Sequence, residues 1–434
     1  MITSAIGKMF LDAYNKKYKK QYDAKTFFVE QYYPLFFGHE KYMMTAGNSP
    51  LENPKISWDK MIRGQKPYET ETRRMERFDA LMDKIENSEA DASIAIGYPS
   101  LDVSATTSGQ VSNVKSLKSV DEVYLSWIGA GLGVGVQGGF SILFNNTEIL
   151  LDIFEGWIIY RKTLDKNPIL KGNQINTWNG QWLAYKYDKS IYVESNPMAN
   201  FAPFSTNDGV MSIDVQSWTK VLIRISKQFE TPIMMGYVYN FGQTNTTIGF
   251  IPFTLNQIKK PIELYHKLFG MEESKKAEEL YGTAFGFAMA CQAGAIGVKA
   301  MEPKGLTEYM KGKMPKYDDK QKINFQTYIT WIIAMLNNQE MWAKAQEFAT
   351  ELQTYASSGD RGKSVNSRKV DSIMKSTNKA LFMKSLVEVV EDAKNKENIE
   401  SIAKLVNDMP YDNVPYFLTL VRFHYAYISN NNKK

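Results

Sequence analysis

Helical periodicity runs almost without interruption through residues 271–434. Apolar residues recur there every three to four positions, the spacing that is typical of an amphipathic α-helix. The periodic stretches are 272–300, 320–356, 365–392 and 396–406. Clusters of proline, glycine and serine separate these stretches and mark turns or loops. Long helices joined by short breaks favour an antiparallel bundle, so we predict an all-helical bundle over this region.

The preceding residues mix helical and strand-like patterns. β-branched and aromatic residues fill 233–239 and 247–253 on either side of the turn sequence NFGQTNT, which predicts a hairpin or two neighbouring strands. Residues 147–164 have a helical pattern with Thr147 as the N-cap. Residues 93–98 and 122–128 have the composition of strands. We therefore predict an α+β fold, with a mixed N-terminal α/β region and a C-terminal all-helical bundle.

Changes in composition divide the chain into three predicted segments. Residues 1–90 form an N-terminal helical and aromatic segment, which includes the run TFFVEQYYPLFF. Residues 91–270 form a mixed α+β domain with polar and glycine-rich loops, and residues 271–434 form the bundle. Aromatic residues such as those of the first segment usually build a core, although they can also stack on bases where lysine or arginine lies nearby.

Cysteine and histidine are too scarce for several kinds of chemistry. One cysteine, Cys291, and three histidines exclude a disulfide framework and a cysteine-rich zinc site. No G-x-S-x-G, H-E-x-x-H or P-loop motif occurs. The sequence therefore favours a non-catalytic protein without a metal or cofactor. A single cysteine suits a reducing cytoplasmic location, and no stretch reaches the ~18–20 uncharged residues of a membrane span.

The glycine-rich segment GAGLGVGVQGG at 129–139 contains Gly133, Gly135 and Gly138 at G-x-G-x-x-G spacing. A dinucleotide site also needs an acid at the end of the next strand. The acids near that distance, Asp152 and Glu155, fall within the helical pattern of 147–164 instead. The segment is therefore read either as close backbone packing or as a loop whose backbone approaches a phosphate or a groove.

Four polar loops carry asparagine and glutamine beside glycine or threonine. An amide offers a donor and an acceptor side by side, as readout of an adenine edge requires. The candidate readers are Gln110, Asn113, Gln137, Asn145, Asn146, Gln243 and Asn245. Amides also serve ordinary turns, and Asn179–Gly180 in the one of these four loops that spans 172–181 is a hairpin signal. Both interpretations stay open for each loop.

A basic stretch follows in the helical region, although the net charge of the whole chain is only +5. Asp371 alone opposes the cations between residues 361 and 384. The candidate phosphate-binding residues are Arg361, Lys363, Arg368, Lys369, Lys375 and Lys379, with Lys384 beyond them. Helical spacing predicts one basic face. Such a face either tracks phosphates or is simply solvated.

This layout resembles the large subunit of type I CRISPR effector complexes (Cascade). That family pairs a mixed N-terminal domain, bearing polar and glycine-rich loops, with a C-terminal helical bundle. The resemblance is architectural, covers most of the chain and includes no strict motif. It implies a non-catalytic subunit of an RNA-guided antiviral complex, whose loops read a short duplex DNA motif and whose bundle holds opened strands. The implied partners are guide RNA, target DNA and other effector subunits in a hetero-oligomer.

Two alternatives use the same features differently. A structural or scaffold protein of a phage or defence assembly would pack its aromatic and glycine faces against partner chains. An enzyme acting on a small molecule would use the glycine-rich segment together with Asp or Glu as acid and base. The enzyme alternative predicts a deep acidic pocket beside residues 133–139.

Overall fold

The chain folds into two compact units, Met1–Leu255 and Asn256–Lys434. The computed structural model describes residues 1–44, 50–51, 56–98, 119–240, 246–282, 285–316, 318–358, 363–391, 393 and 395–431. Within these ranges, the first unit combines helices with strands and the second unit contains helices. The predicted α+β class with a helical C-terminal region is confirmed.

The first unit contains a small antiparallel sheet surrounded by helices. Its helices are α1 Ile2–Tyr18, α2 Ala24–Phe27, a π-helical turn Phe28–Tyr32, α3 Tyr33–Phe36, α4 Trp58–Ile62, α5 Glu71–Asn87, α6 Val120–Gly131, α7 Thr147–Lys166, α8 Ile175–Lys186 and α9 Trp218–Gln228. Its strands are β1 Val134–Val136, β2 Phe140–Phe144, β3 Phe204–Asn207, β4 Val210–Ile213, β5 Ile233–Asn240 and β6 Thr246–Thr254. The strand order is β1-β2-β5-β6, with β3-β4 as a separate pair. The predicted pairing of β5 with β6 is confirmed.

Two predicted strands are wrong. Residues 122–128 belong to α6, in which every residue from Val123 to Gly131 is buried. Burial on all sides removes the polar positions that reveal a helix, so the apolar run resembles a strand. Residues 93–98 form turns. Two of their carbonyls accept hydrogen bonds from side chains and not from a neighbouring strand. The Thr3 hydroxyl donates to Ile96 O at 2.7 Å, and the Trp127 indole N–H donates to Ile94 O at 2.8 Å.

The helix predicted over 147–164 is confirmed, but its N-cap is Asn146, whose side chain accepts from the Ile149 N–H at 3.0 Å. The predicted hairpin signal at Asn179–Gly180 is wrong, because both residues lie inside α8. The Asn179 amide donates to the carbonyls of Gly131 and Gly133 at 2.8 and 2.9 Å. Tertiary hydrogen bonds thus hold a turn-favouring sequence in a helix.

The aromatic run at 26–37 belongs to the core of the first unit. Tyr32 and Phe36 stack with ring centroids 4.1 Å apart. Phe36 meets Trp157 of α7 edge-on at 4.8 Å. All three side chains are fully buried, so these aromatic residues build a core and are not available to stack on bases.

Helices α1 and α6 cross at a pair of glycines. A Cβ placed on Gly129 would lie 1.9 Å from the carbonyl oxygen of Thr3, and one on Gly7 would lie 2.0 Å from that of Leu125. Only hydrogen at both positions allows the two backbones to approach this closely. The contact also joins the start of the predicted first segment to the predicted second one, within a single unit.

All the named secondary-structure elements of the second unit are helices. They are α10 Leu255–Phe269, which starts at the last residue of the first unit, α11 Ser274–Glu278, α12 Phe287–Gln292, α13 Leu306–Met310, α14 Lys322–Leu336, α15 Glu340–Ser357, α16 Lys363–Lys375, α17 Lys379–Val390, α18 Lys396–Asp408 and α19 Val414–Asn431. Neighbours from α15 to α18 pack in sequence, and α19 packs along α15. In the described part of the chain, no helix is both long and apolar enough to cross a membrane.

The long helix predicted over 272–300 is broken into α11, α12 and the 3₁₀ turn Val298–Met301. Gly282 and Gly294 adopt φ values of +72° and +81°. Residues in this left-handed region end helices and are usually glycine. The apolar spacing of this segment therefore belongs to helices, but backbone turns divide the segment into short ones.

A buried guanidinium in the second unit donates hydrogen bonds to backbone carbonyls. Arg422 of α19 is fully buried. It donates to Met374 O at 2.6 Å, to Tyr309 O at 3.0 Å and to Ser376 O. Burial lowers the pKa of Arg422 to about 10, so it stays charged at neutral pH. Arg422 thereby satisfies carbonyls at the C-terminal ends of α13 and α16, where the helix dipole favours a cation.

His424, on the same helix, is buried and neutral. The Trp342 ring meets it edge-on with a centroid distance of 4.4 Å, and its Nε2 has no hydrogen-bond partner among the described residues. Burial lowers the pKa of His424 to about 4, compared with about 6.5 for an exposed histidine. The folded protein therefore resists protonation at this position.

We expect His424 to make the protein less stable in mild acid. Between about pH 6.5 and pH 4, the unfolded chain binds a proton at this residue that the folded chain does not, so stability falls as pH falls. The full contribution is present above about pH 6.5, and the loss reaches about 3 kcal/mol near pH 4. Urea unfolding of wild type and His424→Phe at several pH values measures it. Equal pH dependence in the two proteins would contradict the assignment.

Candidate nucleic-acid interface

The single helix predicted over 365–392 is wrong, because α16 ends at Lys375 and α17 begins at Lys379. The predicted basic residues therefore lie on two neighbouring helices of the second unit. Arg368 and Lys375 of α16 and Lys384 of α17 are exposed. Arg368 and Lys375 are seven residues apart, so they lie on the same face of α16. Arg361 lies outside the described residues, and the side chain of Lys363 is not described either.

The face of α16 is not purely basic. Asp371 is exposed and follows Arg368 by three residues while preceding Lys375 by four, so its carboxylate lies between them on the same face. The sequence interpretation counted Asp371 as an opposing charge without placing it inside the face. Among the described side chains, the exposed charge is thus two cations and one anion on α16, and on α17 the cation Lys384 with the anion Glu388 four residues after it.

Two of the predicted cations contact neighbouring helices. Lys369 Nζ donates to the carbonyl of Glu388 at 2.8 Å, in the last turn of α17. Lys379 Nζ donates to the carbonyl of Asn407 at 2.6 Å, in the last turn of α18. An ammonium group at a helix C-terminus satisfies free carbonyls and complements the helix dipole. Both lysines thus have a structural role that the sequence pattern did not predict.

Tyr411, which follows α18, lies beside Lys379 and was missed by the sequence interpretation. Its side chain is 70% exposed, and Lys379 Nζ lies 4.8 Å from the centre of its ring. An exposed aromatic ring next to a cation is the combination that base stacking requires. The two residues are distant in sequence and meet only because α17 packs against α18, so proximity along the chain gave no signal.

The amide residues predicted as readers are divided between the two ends of the four-stranded sheet. Gln137 is exposed in the turn between β1 and β2. In the same turn, a Cβ on Gly139 would lie 3.3 Å from the amide nitrogen of Asn240, the last residue of β5. Strand β5 therefore ends at the same end of the sheet as Gln137. Outside the described residues lie Gln110, Asn113, Gln243 and Asn245.

Asn145 and Asn146 lie at the opposite end of β2. That strand spans about 17 Å at 3.4 Å per residue, so these two side chains are not neighbours of Gln137. The side-chain oxygen of Asn146 caps the N-terminus of α7. The side chain of Asn145 is exposed, and its backbone N–H donates to Met235 O at 3.1 Å. The structure therefore does not bring all the candidate amides onto one surface.

The glycine-rich segment packs against helix α8. A Cβ on Gly133 would lie 2.5 Å from Nδ2 of Asn176, and one on Gly135 would lie 2.8 Å from its carbonyl carbon. The chain continues into β2 after Gly138, whereas a dinucleotide fingerprint needs a helix there. The dinucleotide interpretation is wrong, and close backbone packing is confirmed.

The acids that follow this segment in the sequence are held by lysines. Asp152 lies 3.1 Å from Lys186 and accepts from the Tyr187 hydroxyl at 2.7 Å. Glu155 pairs with Lys186 and, at 3.0 Å, with Lys17. Burial opposes ionisation of Glu155, but hydrogen bonds from both lysines outweigh it and lower its pKa. Glu155 is therefore an ionised partner in an ion-pair network that also includes Asp152, which is a different state from the proton donor that acid catalysis needs.

Cys291 is buried, and burial raises the pKa of its thiol to about 12. The thiol is therefore protonated at neutral pH and unsuited to nucleophilic attack. Within the ranges that the structure describes, no three residues of the His, Cys, Asp and Glu types are grouped so that they could hold a metal ion.

Comparison with known proteins gives no relative: no family model, curated protein or solved structure matches this chain.

Proposed function

We propose that this protein is a non-catalytic nucleic-acid-binding subunit of an RNA-guided antiviral effector complex. In this proposal it reads a short duplex DNA motif with amide loops and holds opened strands on α16 and α17. The architectural resemblance suggests this role, since the chain joins an α+β unit with polar loops to a helical unit with an exposed basic surface.

The observation that carries the proposal is the exposure of the cations Arg368, Lys375 and Lys384 on the neighbouring helices α16 and α17. The exposed Tyr411 ring lies beside Lys379. Cations attract the phosphate backbone without regard to sequence, and an aromatic ring stacks on an unpaired base. Together they suit a single strand better than a sequence-specific duplex site.

Sequence readout would come from the other unit. Gln137 lies at the end of the sheet where β5 finishes at Asn240, three residues before Gln243 in the sequence. Amides read base edges but add no charge. Affinity and specificity would thus reside in different units, and separate substitutions can test them.

Charge reversal tests the holding surface. We expect Arg368→Glu/Lys375→Glu/Lys384→Glu to weaken binding of single-stranded DNA roughly tenfold or more, and to lower the salt slope by about 2, because cation–phosphate contacts release counterions. The matched control is Lys311→Glu/Lys320→Glu/Lys344→Glu, which changes charge equally on other elements of the same unit. Binding curves at several salt concentrations measure both. An equal loss in the two triple variants would contradict a specific surface.

The reading loop has a different signature. Gln243→Ala/Asn245→Ala is expected to change the preference among duplexes that differ at one short motif by about 1–3 kcal/mol per position, while leaving the salt slope unchanged. A uniform loss of affinity for every duplex would exclude base readout by this loop.

A further inference from the structure

The end of helix α1 carries a dense group of exposed cations. Residues 16–20 have the sequence KKYKK, and all five are exposed. We call this segment the basic turn. The lysine and arginine residues of the first unit equal its aspartate and glutamate residues in number. Four lysines within five positions are therefore a strong local excess of positive charge, and such an excess attracts polyanions.

Asn15 fixes the conformation of the basic turn. Its backbone carbonyl accepts from the N–H of Lys19 and, at 3.0 Å, from the N–H of Lys20. Its side-chain oxygen accepts from the Tyr22 N–H at 3.0 Å, and its side-chain nitrogen donates to Tyr22 O at 2.8 Å. Because these hydrogen bonds hold the backbone in place, the turn loses little conformational freedom when it binds a ligand.

Lys19 adopts a backbone conformation that is costly for lysine. Its φ and ψ are +52° and +47°, in the left-handed region where a Cβ crowds the next carbonyl oxygen. The other described non-glycine residues with positive φ are asparagine or aspartate, whose short polar side chains tolerate this region. Glycine is the usual residue where a helix ends this way. The geometry of the turn gives no reason for lysine, which points to a role for its ammonium group.

Nearby acids are already engaged. Asp12 pairs with Lys8 at 2.9 Å, and Glu155 pairs with Lys17 at 3.0 Å. In the part of the chain that the structure describes, no ion pair involves the other three lysines of the basic turn. A phosphate that approaches the turn would therefore meet ammonium groups that no carboxylate neutralises.

The ammonium groups of Lys16, Lys19 and Lys20 also differ from those of the basic helices in the second unit. Lys369 and Lys379 donate to carbonyls of neighbouring helices. Among the described residues, the three lysines of the basic turn donate no side-chain hydrogen bond to the protein. They are thus available to an external anion, beyond the favourable effect that any cation has at a helix C-terminus.

Tyr18 lies in the middle of the basic turn. Its side chain is 37% exposed, its ring packs on that of Tyr14 with centroids 4.6 Å apart, and Lys17 Nζ lies 5.5 Å from its centre. An exposed ring among cations suits the stacking of a nucleic-acid base. A membrane surface needs exposed aliphatic, phenylalanine or tryptophan side chains as well, and residues 15–23 contain none. A nucleic acid is therefore favoured over a lipid surface.

We propose that the basic turn binds the phosphodiester backbone of a single nucleic-acid strand, with Tyr18 stacked on one of its bases. This site goes beyond the proposed function, which gives the first unit uncharged amides alone. The observations that support it are separate from those on α16 and α17. Either surface can therefore fail its own test while the other passes.

Removal of the free charges tests the site in the full chain. We expect Lys16→Gln/Lys19→Gln/Lys20→Gln to weaken binding of a fluorescent oligothymidylate roughly tenfold and to lower the salt slope by about 2, because each phosphate contact with a single strand contributes about 0.7. The matched control is Lys60→Gln/Lys84→Gln/Lys166→Gln, which removes three exposed lysines elsewhere in the same unit. The control should change neither quantity.

Lys19→Gly separates binding from folding. Glycine adopts the left-handed conformation without penalty, so the melting temperature should stay the same or rise. Affinity for the oligothymidylate should nevertheless fall about threefold, because one phosphate contact is lost. A variant that binds as well as the wild-type protein would contradict a role for the Lys19 ammonium group.

Photo-crosslinking locates the bound strand. Irradiation of the wild-type protein with an iodouridine-substituted oligonucleotide should attach the strand to Tyr18, as identified by mass spectrometry. Absence of a crosslink at Tyr18, or equal affinities of the two triple variants, would overturn the proposal. Loss of binding to phosphatidylserine vesicles in the turn variant, with oligonucleotide binding unchanged, would assign the turn to a membrane surface and overturn it as well.

Discussion

Replacing Arg422 by methionine is expected to lower the free energy of unfolding by about 3–5 kcal/mol. Methionine fills a similar space but donates no hydrogen bond, so the carbonyls of Tyr309, Met374 and Ser376 would lose their donor. Each buried carbonyl left without a partner costs about 1–3 kcal/mol. Removing a buried charge offsets part of this loss, but three carbonyls outweigh it.

Urea unfolding followed by far-UV circular dichroism measures the effect of Arg422→Met. The control is Arg368→Met, which removes the same group from an exposed position in the same unit and should change stability by less than about 0.5 kcal/mol. Arg422→Lys should fall between the two, because an ammonium retains the charge but cannot reach several carbonyls in a fixed plane. A loss below about 1 kcal/mol for Arg422→Met would show that these carbonyls do not need the guanidinium.

Gly129→Ala is expected to destabilise the first unit by about 3 kcal/mol or more. A methyl group there would lie 1.9 Å from the carbonyl oxygen of Thr3, so α1 and α6 would have to separate. Because both colliding groups belong to helix backbones, no side-chain rotation relieves the contact. Alanine normally favours a helix over glycine by about 0.5–1 kcal/mol, so the expected sign is the reverse of helix propensity.

Gly286→Ala is the control for this substitution. No atom lies within 4 Å of a Cβ built on Gly286, and alanine at this N-cap position should cost only about 0.5 kcal/mol. Thermal unfolding of the full chain compares the two variants. A Gly129→Ala protein as stable as Gly286→Ala would mean that α1 and α6 do not cross as closely as described.

Sequence patterns predicted those elements that have one buried side. Helices α16 and α18 keep apolar residues such as Val370 and Ile402 buried while their other positions are exposed, so their periodicity was visible. The pairing of β5 with β6 was visible for the same reason. Helix α6 was misread because it is buried all round, and α8 was misread because contacts with distant residues hold Asn179 and Gly180 in a helix.

The candidate interface was predictable only in part, for similar reasons. Spacing along α16 placed Arg368 and Lys375 on one face. The same spacing places Asp371 on that face as well. The carbonyl partners of Lys369 and Lys379 belong to the ends of neighbouring helices, and helix packing is not encoded in local spacing. Tyr411 next to Lys379 depends on that packing in the same way.

The most direct test of the central claim is to identify what accompanies the protein when it is purified from its native cells under gentle salt conditions. The proposed function predicts a defined set of other proteins together with small RNA of discrete length. Nuclease treatment followed by sequencing should show that this RNA is a guide population. Purification of the protein without any nucleic acid, alone or with protein partners only, would contradict the account.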